Sequence, residues 1–517
     1  MALNAATMPR AFTREEIERH SKEGDMWLTI DGRVYDVSRF AAMHPGGEAF
    51  IAKYAGKDAT NAFYALHRQD ILSKYERLVI GTVVGEPEIK LPEPGAVSMV
   101  PYAESSYWQG WTSPYFNESH KRFRTAVRQF FDKEVMPEVT MWDELGKAPT
   151  QELYQKMGAA GILAARIGPG HHLSIPGITL PGGVRPEEFD FFHELIAHEE
   201  VARIGCPGFQ DGIGAGMIIG LPPVIHFGRK ELAAKVVPEV LRGDKRICLA
   251  ISEPTAGSDV AGIQTTAVKS PCGQFYIVNG AKKWITNGTF CDYFVTACKT
   301  ERGFSLLLIE RGEGLTTKPI KTSYSAAAGT SYVLYENVKV PVSNLLGKEH
   351  QGFKCIMHNF NHERWFIVCG VNRSSRLVVE ECLKWANQRR AFNKTLLEQP
   401  VIRNKLAHMV SQVEAVQNWL ENITHQMNNM TFEEQQKHLA GPIALLKLLS
   451  TRVSEFVLDE ACQVFGGRAI SRTGMGQIVE RYMRGTKFGA ILGGSEEIMA
   501  DLGMRQAMKH FPLNARL

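Results

Sequence analysis

The chain has 517 residues, 44% of them hydrophobic, with 59 basic against 55 acidic side chains and a formal charge of +4. This length and apolar content allow about two to four structural units, and the near balance of charge excludes the global field expected of a nucleic-acid or anionic-membrane binder. Nine cysteines, an odd number without CxxC pairs or zinc-type spacing, read as reduced and mostly buried thiols, and so as an intracellular protein.

From the N-terminus, residues 10–85 alternate strand-like runs, Trp27–Ile30 and Arg33–Val37, with short helical stretches bounded by Gly and Asp, the pattern of a compact α+β module. Little room precedes it for a cleavable presequence. Residues 86–112, with Pro87, Pro92, Pro94, Gly95 and Pro101, read as a semi-extended linker. Spacings of three and four, as in Phe123-Val127-Phe130-Phe131 and Phe191-Leu195-Ile196, predict helices over 113–245. No apolar stretch reaches the ~20 residues that cross a bilayer; the longest, Gly212 to Val224, is broken by Pro222 and Pro223, so no transmembrane segment is expected. Runs such as Phe275–Val278, Tyr293–Val295 and Leu306–Ile309 predict a β-domain over 246–350, and helical periodicity returns over 351–509. The tail, 510–517, closes in Ala515-Arg516-Leu517, similar to the peroxisomal address Ser-Lys-Leu.

In the first module, His44-Pro45-Gly46-Gly47 puts a histidine at a sharp turn, where proline fixes φ and the paired glycines accept positive φ. His67 follows after Asp58-Ala59-Thr60 and Phe63. Two histidines on opposed helix-loop elements can clamp one iron from both faces, which leaves no position for oxygen and suits one-electron transfer. Taken singly, His44 reads as a turn residue and His67 as a surface one. The whole segment from Asp36 to Gly85, with Asp36-Val37-Ser38-Arg39-Phe40 and these motifs, resembles cytochrome b5. The resemblance implies haem b held by His44 and His67. Residues 41–80 carry five basic and four acidic side chains, so the acidic face typical of a free-standing cytochrome b5 is weakened here. That points to a tethered redox partner, whose linkage raises effective concentration without electrostatic steering.

A flavin site needs backbone donors and small residues near the isoalloxazine, and cations or helix N-termini for the pyrophosphate. Gly212-Ile213-Gly214-Ala215-Gly216 has no preceding strand, so it reads as close helix packing rather than a dinucleotide turn, and His193-Glu194 and His198 lack the spacing of a zinc protease. What the β-region does carry is Leu249-Ala250-Ile251-Ser252-Glu253-Pro254-Thr255-Ala256-Gly257-Ser258-Asp259, followed by Lys283-Trp284-Ile285-Thr286-Asn287-Gly288. As isolated strings these read as a helix cap and a hairpin edge. In this order they resemble the acyl-CoA dehydrogenase family, and the resemblance runs from about Ser113 to Lys509. It implies an α-helical domain, a β-barrel domain and an α-helical bundle, FAD as cofactor, and α,β-dehydrogenation of an acyl-CoA thioester to the trans-2-enoyl-CoA. It further implies that Leu249, Ser252, Trp284 and Thr286 face the flavin ring, with Ser258 at the junction of cofactor and substrate. Arg389, Phe392, Gln399, Gln463, Gly466 and Gly467 match segments that reach the FAD of a neighbouring subunit, implying a homo-oligomer, dimer or tetramer. Asn393, where the family usually has Gly, and Arg468-Ala469, in place of a run into Gly-Tyr, depart from the pattern in the adenosine pocket.

The implied chemistry requires a desolvated base for the α-proton and donors for an enolate-like oxygen. Many family members carry the base in a Tyr-Glu-Gly-Thr loop, but the matching segment here is Leu492-Gly493-Gly494-Ser495-Glu496-Glu497-Ile498, with Gly493 in the base position. Long-chain and isovaleryl dehydrogenases share that glycine and carry the base in a Glu-Arg pair on another helix, which this sequence offers as Asn361-His362-Glu363-Arg364-Trp365. The resemblance therefore gives Glu363 the role of base, the N–H of Gly493 a place in the oxyanion site, and Ser495 and Glu497 contacts to FAD, with Glu496 the alternative base. Spacing alone would read Glu363 as a solvated helical residue. The fusion suggests that electrons pass singly from FAD to the haem and then to an external acceptor. An oxidase using oxygen, and an inactive family member that binds partners, are the alternative readings. Acyl length, branching, and β-oxidation versus a secondary-metabolite pathway stay open.

Overall fold

A computed structural model describes residues 10–89, 92–509, 511–512 and 514–515; Arg516 and Leu517, two thirds of the peroxisome-like tripeptide, lie outside the described residues. Two bodies make up the chain: Met1–Glu93 with Lys384–Ile402 and Phe465–Gln477, and Pro94–Leu383 with Arg403–Val464 and Ile478–Leu517.

Period-two alternation builds the first body. Strands β1 (Ala11–Phe12), β2 (Ser21–Lys22), β3 (Asp25–Ile30), β4 (Arg33–Asp36) and β5 (Val79–Val83) form a sheet in the order β1-β5-β4-β3-β2. Successive residues of β4 point to opposite faces: Val34 joins Phe12, Ile17 and Val83 on one side, and Tyr35 joins Met26, Leu28 and Leu72 on the other. Helix α1 (Arg14–Arg19) borders the sheet in sequence, while α2 (Glu48–Ala52), α3 (Thr60–Leu66) and α4 (Asp70–Lys74) fall between β4 and β5. Thr13 caps α1 by accepting from the Glu16 N–H.

In the second body, helices α5 (Glu118–Glu134), α6 (Val139–Glu144), α7 (Gln151–Ala159), α8 (Ile162–Ala165), α9 (Phe191–Ala202), α10 (Pro207–Gly212), α11 (Ala215–Phe227) and α12 (Lys230–Leu241) come first. The predicted linker is only partly a linker. From Pro94 onward it belongs to this body, and Ala103, Glu104 and Ser105 are buried. Glu104 lies 2.6 Å from Arg124 and 2.7 Å from Arg128 of α5, and Arg128 also pairs with Glu200 of α9 at 2.7 Å. Two capping boxes knit the starts of α5 and α9: His120 and His193 serve as the third residues of their helices, and both rings meet Asp190, at 3.0 and 2.8 Å.

The β-domain is an eight-stranded sheet: β6 (Ile247–Ala250), β7 (Thr266–Lys269), β8 (Phe275–Ile285), β9 (Tyr293–Thr300), β10 (Gly303–Glu310), β11 (Leu315–Pro319), β12 (Ser331–Pro341) and β13 (Leu345–Leu346). Its order is β11-β12-β8-β7-β9-β10-β13, with β6 parallel to β9. Cys248, Val278, Phe294, Leu307 and Val333 meet in its core. Long helices follow: α13 (Gly352–Gln388), α14 (Pro400–Asn429), α15 (Phe432–His438), α16 (Ala440–Phe465), α17 (Gln477–Ile491) and α18 (Glu496–Met508). Among the described residues, no helix is long and apolar enough to cross a membrane.

Candidate active site and haem site

In the first body His44 leaves a one-turn helical segment, and His67 is the C-cap of α3. Their ring centroids are 6.0 Å apart, which leaves room for one metal atom with bonds of about 2 Å to each imidazole. The His44 Nδ1 lies 3.2 Å from the Gly47 carbonyl, which orients the ring and keeps Nε2 for a ligand. Burial, followed by the charge of His44, lowers the pKa of His67, favouring the neutral form that binds metal. The two glycines do different work from that predicted: only Gly47 has positive φ, at 91°, whereas a Cβ on Gly46 would stand 2.9 Å from the His44 ring. Met43, Phe50 and Leu66 are largely exposed around these ligands, apolar surface of the kind a haem covers. The residues present fit a bis-histidine haem.

In the second body, β6 and the end of β8 assemble the predicted flavin face. The Lys283 N–H donates to the Ser252 carbonyl at 2.9 Å, and the buried Lys282 ammonium reaches the Ile251 carbonyl at 3.0 Å and Glu253 at 2.8 Å. Leu249, Ser252, Trp284 and Thr286 are thereby gathered. Cys248 and Ala250 are fully buried while Leu249 between them is not, and the Trp284 indole, at positive φ, is 53% exposed. An uncovered strip flanked by an indole fits a flat tricyclic ring. Ser258 sits in the exposed loop beyond.

Beside Thr286 lies a cavity of about 160 Å³, also lined by Asp211, Phe366, Ile367, Gly370 and Leu492. Glu363 is one turn before Phe366 and Ile367, on the same side of α13. It is 7% exposed, and its Oε2 has no hydrogen-bond partner among the described residues. A Cβ placed on Gly493 would stand 3.5 Å from Glu363 Oε1 and 2.6 Å from Ile367 Cδ1. Gly493 also has φ of +66°, so neither the space nor the backbone suits a side chain there. Arg364 Nε donates to the Gly493 carbonyl at 3.1 Å and Lys447 Nζ to the Gly494 carbonyl at 2.7 Å, fixing the turn. Burial raises the pKa of Glu363 to about 7 against the opposing charges of Arg364, Lys447 and His362. Glu496 is not a free carboxylate: Thr451 donates to it at 2.7 Å and Arg452 pairs with it at 2.7 Å. Ser495 caps α18 and Glu497 is exposed in its first turn.

Four neighbours, His362, Glu194, His198 and Lys447, were not read as part of the site from the sequence. His362 donates to the buried Glu194 at 2.7 Å, and His198 meets the same oxygen at 3.1 Å. Burial lowers the pKa of His362, but Glu194 outweighs it and the net shift is upward, which favours the ionic form of the pair. Lys447, fully buried, stands in the apolar run Leu445-Leu446-Lys447-Leu448-Leu449, and a lone cation in such a run is a usable signal. Gly214 and Gly216 are close-packed as predicted, but Gly216 approaches the β-domain, its N–H donating to Asn287 at 2.8 Å.

Arg389, Phe392, Gln399, Gly466 and Gly467 belong to the first body and Gln463 to the second; Phe392 is 92% exposed.

Comparison with known proteins identifies the domains. Residues 13–84 match the cytochrome b5-like heme/steroid binding domain, and residues 117–244, 248–338 and 350–508 match the N-terminal, middle and C-terminal domains of acyl-CoA dehydrogenase. The acyl-CoA dehydrogenase apdG of Emericella nidulans is 40% identical over 80% of this chain and 97% of its own length. The mouse long-chain specific acyl-CoA dehydrogenase is 28% identical over 76% of this chain and 87% of its own. An acyl-CoA dehydrogenase structure from Geobacillus kaustophilus superposes with a TM-score of 0.67 at 29% identity, covering 77% of this chain and 100% of that one. A Bacillus anthracis acyl-CoA dehydrogenase complexed with FAD gives 0.68 at 27% identity, over 77% of this chain and 70% of that one. The chain therefore belongs to the acyl-CoA dehydrogenase family, as an FAD-dependent oxidoreductase that carries a cytochrome b5-like haem domain at its N-terminal end.

Proposed function

We propose that Glu363 removes the α-proton of the bound acyl thioester, and that the turn at Gly493 contributes its backbone N–H to the developing oxyanion. The observation that carries this reading is the pairing of a buried carboxylate, whose Oε2 has no hydrogen-bond partner among the described residues, with a glycine at φ +66° where a Cβ would crowd Ile367. Desolvation keeps the carboxylate basic, and a pKa of about 7 matches a base working near neutral pH. His362, Arg364 and Lys447 supply the positive charge that keeps it ionisable at all, while Arg364 and Lys447 hold the loop opposite. Bound FAD supplies the hydride acceptor and bound haem a one-electron carrier. Ser495 and Glu497, at the start of α18, stand on the side we assign to FAD. Changing Glu363 to Gln is expected to slow substrate-driven flavin bleaching by ~10²–10⁴-fold with FAD retained; bleaching at the original rate would remove Glu363 from the mechanism.

The same reading sends substrate electrons from the dehydrogenase half to the haem half, and thence to an external acceptor. It is supported by two imidazoles whose ring centroids stand 6.0 Å apart, a spacing at which His44 and His67 would hold one iron between them and leave no position for oxygen. Anaerobic mixing with an acyl-CoA should bleach the flavin first and shift the haem spectrum second. A haem that stays ferric through many turnovers would refute the route.

We also take Arg389, Phe392, Gln399, Gln463, Gly466 and Gly467 to reach the FAD of a second copy of the chain. A phenylalanine that is 92% exposed at positive φ suits an interface. Phe392→Asp should lower both FAD content and assembly size in chromatography; a dissociated variant that kept its full FAD would sink this assignment.

A further inference from the structure

The acyl chain is left undefined by the site itself, and one wall of the cavity bears on it. Ala215, Ile219, Phe366, Val371 and Leu492 give that cavity a largely apolar lining, yet Asp211, the penultimate residue of α10, is part of it. Asp211 is partly uncovered, and its carboxylate has no hydrogen-bond or ion-pair partner among the described residues. Nothing in its own side chain holds it there. The surrounding backbone does: the carbonyls of Asp211, Gly212 and Ile213 accept in succession from Asn287 at 3.0 Å, from the Tyr154 hydroxyl at 2.7 Å, and from Arg166. A Cβ on Gly212 would come within 2.5 Å of the Ala327 carbonyl, so the turn cannot slide. Three buried donors, Asn287, Tyr154 and Arg166, thus fix the backbone that carries Asp211 at the cavity wall.

We infer that Asp211 accepts a hydrogen bond from a hydroxyl or amide N–H on the acyl chain, so that the substrate is a functionalised acyl thioester rather than a plain alkyl one. An unpaired carboxyl on an apolar wall is costly unless the ligand brings a donor. A cationic group is disfavoured by the Arg166 guanidinium behind the same turn, and an anionic one by Asp211 itself. Burial, opposed by Arg166, raises the Asp211 carboxyl to about 7, and a hydrogen-bond donor brought by the ligand would favour its charged form. The inference rests on the dehydrogenase reading of this cavity.

The test uses the holoenzyme and acyl-CoA esters of matched length, plain or hydroxylated at successive positions. Both kcat/KM for anaerobic flavin bleaching and Kd for the matching 2-enoyl-CoA products are measured. At one hydroxyl position the native enzyme should favour the hydroxylated member by on the order of 10–100-fold, below the ~10⁴-fold of a fully built hydroxyl site. Asp211→Leu should abolish or reverse the preference, and the isosteric Asp211→Asn should weaken binding of the hydroxylated member while leaving the plain one unchanged. Plain esters serving equally well at every position, or both variants slowing the two esters alike as a flavin or structural contact would, overturns the inference and leaves the dehydrogenase intact. An enzyme whose flavin no ester bleaches would fail at the level of the reaction class instead.

Discussion

His362, next in sequence to the proposed base Glu363, bears on it through charge. Glu194 favours the protonated imidazole, whose positive charge is one of three that draw the Glu363 pKa down against burial. Activity requires the carboxylate form, so the rate should climb with pH through about 7. His362→Gln removes a positive charge, raises the Glu363 pKa and moves this rising limb to higher pH. The pH profile of kcat/KM checks it; an unmoved limb would show that the imidazolium is electrostatically silent. Glu363 itself was assigned through resemblance, since a glutamate in a helical pattern carries no mark of burial. Its burial depends on what packs over it from Gly493, 130 residues later, and no local rule reports that.

At the scale of elements, α5 shows how a pattern can be right about type and wrong about environment. Phe123, Val127 and Phe131 are buried as their spacing predicts, but so are Arg124 and Arg128 between them. Burial alone would raise the Glu104 pKa, yet Arg373, Arg124 and Arg128 hold it well below the usual carboxylate range. Removing one partner of such a cluster strands the others. Glu104→Ala should therefore cost about 3–5 kcal/mol of stability, read as a lower denaturant midpoint; a loss under ~1 kcal/mol would mean that the guanidiniums find water. The stretch around Glu104 was read as linker because it lacks period and is rich in proline. Its order comes from these ion pairs rather than from propensity, so it was invisible until α5 and α9 were both in place.

For the molecule as a whole, the order of domains was legible because each carries a dense local motif: a His-Pro-Gly-Gly turn, a Leu-Ala-Ile-Ser-Glu-Pro run, a Glu-Arg pair. The chemistry of the cavity beside Thr286 was not, because its walls come from α10, α11, α13, α16 and α17, which meet only in three dimensions. The haem and the dehydrogenase site lie in separate bodies with separate ligands, so their loss should be separable. His67→Ala is expected to abolish the haem spectrum while acyl-CoA still bleaches the flavin at its native rate; a matching fall in bleaching would show that the haem domain is needed for the chemistry itself and not only for the onward passage of electrons.

The glycine opposite Glu363 also constrains how such an enzyme can change over time. A lineage moving its base from one helix to the other loop must pass through an enzyme with two acids crowded in one small space, or one with none. Two neighbouring carboxylates resist ionising together, and a side chain at Gly493 would add about 1–3 kcal/mol of left-handed strain. Relocation therefore demands a paired exchange, and single-substitution libraries built on this protein should never recover it.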